Sequence, residues 1–100
     1  MTPEGAVKKN VKKILDRWQT VCYFMPVSGG FGKHGIPDFI VCINGRFLGI
    51  ECKAGKGEMT PLQEKFFEKV GLAGGDCMVV NEKNIDVLEV FLAAVHSKGR

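Results

Sequence analysis

Apolar residues along the chain recur in two rhythms, and the changes of rhythm divide it into elements. Val7, Val11, Ile14, Leu15 and Trp18 stand at helical spacing behind Thr2-Pro3-Glu4. That opening supplies an N-cap, a proline at the first helical position and an anion in the first turn, so a helix is predicted to about Trp18. Val21 to Val27 is β-branched and aromatic and predicts a strand. Phe39-Ile40-Val41-Cys42-Ile43 and Arg46-Phe47-Leu48-Gly49-Ile50 alternate on either side of Asn44-Gly45, the strongest short-range signal for a two-residue hairpin. Thr60-Pro61 opens a second helix whose buried face uses Leu62, Phe66, Phe67 and Val70 and which ends before Gly74-Gly75. Cys77 to Val80 predicts a short buried strand, and Asn84 caps a last helix with Ile85, Leu88, Phe91, Leu92 and Val95 as its apolar stripe. The order αβββαβα, without repeat, linker or low-complexity segment, predicts one α/β domain over residues 1–100, a mixed sheet flanked by helices.

The two-residue turn fixes a register, and the register brings charges together. If Ile43 pairs with Arg46, then Cys42 meets Phe47, Ile40 meets Gly49, and Asp38 lies across from Glu51. Opposed positions on one face hold their Cβ atoms about 4.5–5.5 Å apart, where like charges destabilise a sheet. A hard divalent cation held by both carboxylates offsets that repulsion, and Lys53, two residues beyond Glu51 on the same face, reaches the same place.

Composition adds little until its distribution is considered. The 100 residues are 45% hydrophobic and 25% charged, enough for one modest core, and the net charge of +3 is mild. Lys8, Lys9, Lys12, Lys13 and Arg17 nevertheless fall together, as do Lys53 and Lys56. Two readings fit the first cluster: a basic surface for a polyanion, or a solvated helix face. Ser28 to Gly35 holds four glycines with Lys33 and His34, and no glycine-rich nucleotide fingerprint is present; a loop that orders against DNA is expected. Ala54 to Met59 is a second polar loop. Cys22, Cys42, Cys52 and Cys77 form no C-x-x-C pair, sit in apolar runs and read as buried, reduced thiols. With no signal-peptide core and no apolar run near the roughly 20 residues a membrane span needs, a soluble cytosolic protein without a membrane partner is expected.

Gly35-Ile36-Pro37-Asp38 followed by Glu51-Cys52-Lys53 on the next strand resembles the PD-(D/E)XK nuclease superfamily. The Pro3-Glu4-Gly5 start, the Gly-x-Pro-Asp spacing and the Thr60-Pro61-Leu62-Gln63 helix opening are similar to its virus-type replication-repair nuclease (VRR-NUC) domain in stand-alone form, from Glu4 to the last strand. The resemblance implies a restriction-endonuclease-like αβββαβ core and a Mg²⁺- or Mn²⁺-dependent DNA endonuclease. Asp38 and Glu51 would hold the ion with the backbone carbonyl of Cys52, and Glu4 would join them directly or through water. Mg²⁺ commonly takes only one or two protein carboxylates, so such a sparse set is adequate. Lys53 would lie beside the attacking water and the scissile phosphate. Gln63 would steady Lys53 or a phosphate, and Lys33, His34 and Lys56 would contact DNA. Stand-alone members of the family resemble junction-resolving homodimers, which implies branched substrates such as four-way (Holliday) junctions, and a cytoplasmic, nucleoid-associated protein of a bacterium or a virus-infected cell.

Each assignment has a plainer counterpart. Glu4 also suits a dipole-favoured first turn, Lys53 an edge strand, Gln63 a solvated helix and His34 an exposed loop. For the whole chain, the alternatives to an endonuclease are a catalytically silent DNA-binding subunit and a non-catalytic α/β interaction domain in which Asp38 and Lys53 form a surface ion pair.

Overall fold

The Thr2 hydroxyl accepts the Gly5 N–H at 3.0 Å, and Pro3 follows where the helix needs no donor. In the computed structural model, which describes residues 1–27 and 35–98, the helix so opened is α1, Pro3–Leu15. It stops before Trp18. Beyond the Asp16 cap, the N–H groups of Arg17 and Trp18 reach back only three residues, to the carbonyls of Ile14 and Leu15, and the last turn tightens and ends.

Strand β1, Val21–Phe24, is also shorter than its apolar run. It pairs antiparallel with β2, Phe39–Ile43. Asn44 N–H donates to Thr20 C=O, so the bonded positions of β1 recur at even numbers, and Pro26 falls on one with no N–H to give. The hairpin from β2 to β3, Arg46–Cys52, has the expected register: Ile43 faces Arg46, Cys42 faces Phe47 and Ile40 faces Gly49. Asn44 and Gly45 take φ of 49° and 80°, the positive values of a type I′ turn.

Helix α2, Pro61–Leu72, opens on a complete capping box between Thr60 and Gln63. It leads to β4, Asp76–Val80, which joins β3 in parallel, and α3, Ile85–Lys98, closes the chain. The sheet order is β1-β2-β3-β4, three antiparallel strands and one parallel. Asn84 does not cap α3 with its side chain as expected. Its amide turns back, accepting from Asn81 N–H and donating to Val79 C=O, and ties the end of β4 to the start of α3.

The two faces of the sheet differ. One packs Phe39, Val41, Ile43, Leu48, Ile50, Cys52 and Val80 against Val7, Val11, Ile14 and Leu15 of α1 and Leu88 and Leu92 of α3, all of them buried. The other is covered in part by α2, which packs against β4. Among the described residues, no helix covers that second face over β1 and β2. Cys22 and Cys42, directly opposed on it, are therefore exposed rather than buried, and only Cys52 is fully enclosed. Leu62 is likewise exposed, because the buried residue of α2 is Val70 in its last turn and its first turn lies over the polar end of the sheet. No helix among the described residues is long and apolar enough to cross a membrane.

Candidate active site

At the end of the sheet where β2 begins and β3 finishes, a short turn sets one carboxylate beside another. Gly35 has φ of +68°, open to glycine at no steric cost. A Cβ on it would overlap the Leu62 carbonyl and stand 2.7 Å from Gln63 N, so the turn lies directly on the first turn of α2. Pro37 is fully buried. It packs over Gly49 of β3, where an added Cβ would come within 3.1 Å of the proline ring and 3.0 Å of Cys77 Sγ. The chain thus reaches Asp38 clamped on both sides.

Asp38 stands one residue outside the β2–β3 ladder, whose last pair is Phe39 with Ile50, and the same register continues to Asp38 opposite Glu51. Its Oδ2 accepts the Cys52 N–H at 2.7 Å. Lys53 N–H donates the other way, to Val80 C=O on β4 at 3.0 Å. All described peptides are trans, and a trans peptide points its carbonyl opposite its N–H, so the Cys52 carbonyl faces away from β4, to the side of Asp38. The Cys52 side chain belongs to the opposite, buried face, where burial above all, with Asp38 adding to it, pushes its thiol up to about 12.

Glu51 is the only charged side chain buried among the described residues, 3% exposed. Its Oε2 accepts Gln63 Nε2 at 3.0 Å and lies 3.5 Å from Lys53 Nζ. Its Oε1 is buried and has no hydrogen-bond partner among the described residues. Burial pushes the Glu51 carboxyl up to about 7, Asp38 and more weakly Glu4 push the same way, and Lys53 opposes them. Gln63 therefore holds Glu51, not Lys53; its Oε1 takes the Thr60 N–H of the capping box, which leaves its amide nitrogen for the carboxylate.

The donor set suits a hard cation. An orphaned carboxylate oxygen, a second carboxylate and a backbone carbonyl turned to the same side are oxygen ligands of the kind Mg²⁺ and Mn²⁺ take. No cage of three or more His, Cys, Asp or Glu side chains forms among the described residues. Glu4, 44% exposed on α1, reaches the site's edge through Lys8, whose ammonium lies 3.8 Å from Glu4 Oε2 and 3.3 Å from Asp38 Oδ1. In sequence Lys8 belongs to the basic cluster of the first helix; its i, i+4 spacing from Glu4 suits that pair and does not point to Asp38.

The other candidates lie farther out. Lys56 is exposed in the turn after Lys53, a loop held by Gly55 N–H on both oxygens of Glu82 at 3.0 and 3.1 Å. Lys33 and His34, with the glycines between Ser28 and His34, lie outside the described residues. The chain matches no family model, no curated protein and no solved structure with which it was compared.

Proposed function

We propose that this chain is a metal-dependent deoxyribonuclease of the PD-(D/E)XK type, similar to stand-alone VRR-NUC domains, that hydrolyses phosphodiester bonds with water as nucleophile. The observation that carries this reading is the meeting of Asp38, Glu51 and Lys53 at one sheet end with a buried, partnerless Glu51 oxygen. A fold does not leave such an oxygen orphaned for stability, because an unpaired buried polar atom costs about 1–3 kcal/mol. Asp38, Glu51 and the Cys52 carbonyl would hold Mg²⁺ or Mn²⁺, with Glu4 at the rim. The ion would supply a polarised phosphate and a water acidic enough to attack at neutral pH.

The protein's own groups do the rest. Gln63 fixes the orientation of Glu51 by occupying Oε2 and leaving Oε1 to the ion. The Cys52 N–H fixes Asp38 in the same manner. Lys53, only 14% exposed at its side chain, keeps a positive charge where the phosphate would enter and offsets the negative charge that grows on it in the transition state. Branched DNA is the proposed substrate and a homodimer the proposed form, since two identical sites related by a two-fold axis suit paired cuts on a symmetric junction.

The test is incubation of the purified protein with labelled linear, flap and four-way-junction DNA, with Mg²⁺, Mn²⁺ or EDTA. Cleavage that needs the ion and disappears in Asp38→Asn is expected, with paired cuts on the junction. Undiminished cleavage in Asp38→Asn, or binding of DNA without cleavage under any metal, would remove the nuclease reading.

A further inference from the structure

The lysines of α1 look alike in sequence and differ in place. Lys9, Lys12 and Lys13 are exposed, whereas Lys8 is half-buried and turned to the sheet end. Asp38 has two oxygens, and Oδ2 is committed to the Cys52 N–H at 2.7 Å. Oδ1 carries no backbone bond, and the Lys8 ammonium is already on it at 3.3 Å, with Glu4 Oε2 3.8 Å from the same nitrogen.

Lys53 is placed differently. It lies 3.5 Å from Glu51 Oε2, the oxygen that Gln63 also uses, and Glu51 Oε1 has no partner among the described residues. An incoming ion can therefore take Glu51 Oε1 without displacing anything. At Asp38 Oδ1 it meets the Lys8 ammonium 3.3 Å away, and two cations on one oxygen repel each other.

We propose that Lys8 is a tethered counter-cation, occupying through Asp38 and Glu4 the place of the divalent ion, so that ion binding and release of Lys8 are one exchange. This rests on the metal-site reading above and adds to it a competitor built into the chain. The exchange has a direction. Once released from Asp38, the ammonium stands at the rim beside the bound polyanion's path, so DNA that accepts it favours the ion and the ion favours DNA, as reciprocal linkage requires.

The experiment titrates Mn²⁺ into metal-free, DNA-free protein and follows free Mn²⁺ by electron paramagnetic resonance, a readout that needs no cleavage. Lys8→Met should bind Mn²⁺ about threefold to tenfold more tightly than wild type, the size expected when a partly exposed ion pair no longer competes. Lys8→Arg keeps a cation in reach and should stay near wild type. Lys12→Met makes the same change in net charge on the exposed side of α1 and should also stay near wild type. Nuclear magnetic resonance of the lysine ammonium groups adds a direct view: Mg²⁺ should shift the Lys8 signal and leave that of Lys12 in place. Equal Mn²⁺ affinity in wild type and Lys8→Met, or equal gains in Lys8→Met and Lys12→Met, would overturn the exchange while leaving the metal site intact. Mn²⁺ binding that is absent from wild type and Lys8→Met alike, or that persists unchanged in Asp38→Asn, would remove the site reading and the proposal with it.

Discussion

Ile50 and Glu51 are neighbours in β3 and both are buried, one on each face of the sheet. Ile50 enters an apolar core that buried residues of α1 and α3 share. Glu51 enters a polar end in which one of its oxygens has no partner and its charge faces that of Asp38. Strand alternation permits this: one face gathers apolar contact while the other carries groups that weaken the fold. The two faces should therefore respond oppositely to mutation. Truncation on the core face should unfold the protein; neutralisation of a carboxylate on the polar face should spare or strengthen the fold and remove its chemistry.

The largest effect is therefore expected in activity. Asp38→Asn and Glu51→Gln should leave no measurable cleavage, and Lys53→Ala should lower kcat by about 10²–10³, as expected when one group stabilising transition-state charge is lost. Asp38→Asn and Glu51→Gln should melt at or above the wild-type temperature in EDTA, whereas Lys53→Ala should melt below it, because buried Glu51 then loses the ammonium beside it. Ile50→Ala should do the reverse of the carboxylate variants, costing about 2–5 kcal/mol of stability while the folded fraction retains its cleavage rate. Thermal denaturation with single-turnover kinetics on the same preparations measures both, and a Glu51→Gln protein that unfolds like Ile50→Ala would show the faces to be equivalent.

The two faces should also differ in their response to pH. The Glu51 carboxyl lies at about 7 in the fold against an ordinary 4.5, so the native state binds its proton more tightly than the unfolded state does. Its stabilising contribution is complete below 4.5 and is lost as pH rises from 4.5 through 7. The loss is on the order of 3 kcal/mol. Denaturant unfolding in EDTA should show metal-free protein weakening across that window, and Glu51→Gln should lack the decline. Ile50→Ala should keep the wild-type pH slope at lower stability.

The features legible in the sequence are those fixed by local rules. Asn44-Gly45 dictates its turn, the turn dictates register, and register places Glu51, Lys53 and Cys52 relative to Asp38. What was not legible depends on which element covers which. Alternation assigns Cys22 and Cys42 to one face but cannot say that α2 leaves that part of the face open. Helical spacing treats Lys8 like Lys9, although only the docking angle of α1 brings Lys8 to Asp38. Gln63 reads from sequence as a partner of Lys53 or a phosphate, or as a solvated helix residue; its bond to Glu51 exists because the Gly35 turn lets α2 begin against the sheet end.

That last dependence supports the smallest prediction, which compares two glycines flanking the site. Gly35 and Gly55 both have positive φ, +68° and +57°, so alanine at either meets the same backbone strain, about 1–2 kcal/mol. They differ in surroundings. A Cβ on Gly55 has nothing within 4 Å, whereas one on Gly35 overlaps the backbone of Leu62. That backbone cannot move without taking Gln63 with it, and Gln63 is what orients Glu51. Gly35→Ala should accordingly cost about 1–3 kcal/mol more than Gly55→Ala, the usual size of an overpacking term. It should also lower cleavage through a displaced Glu51, while Gly55→Ala leaves the rate near wild type. Denaturant midpoints and Mn²⁺ affinity of the two variants test this directly: equal losses of stability with unchanged affinity would mean that the turn only connects β1 to β2 and does not position the site.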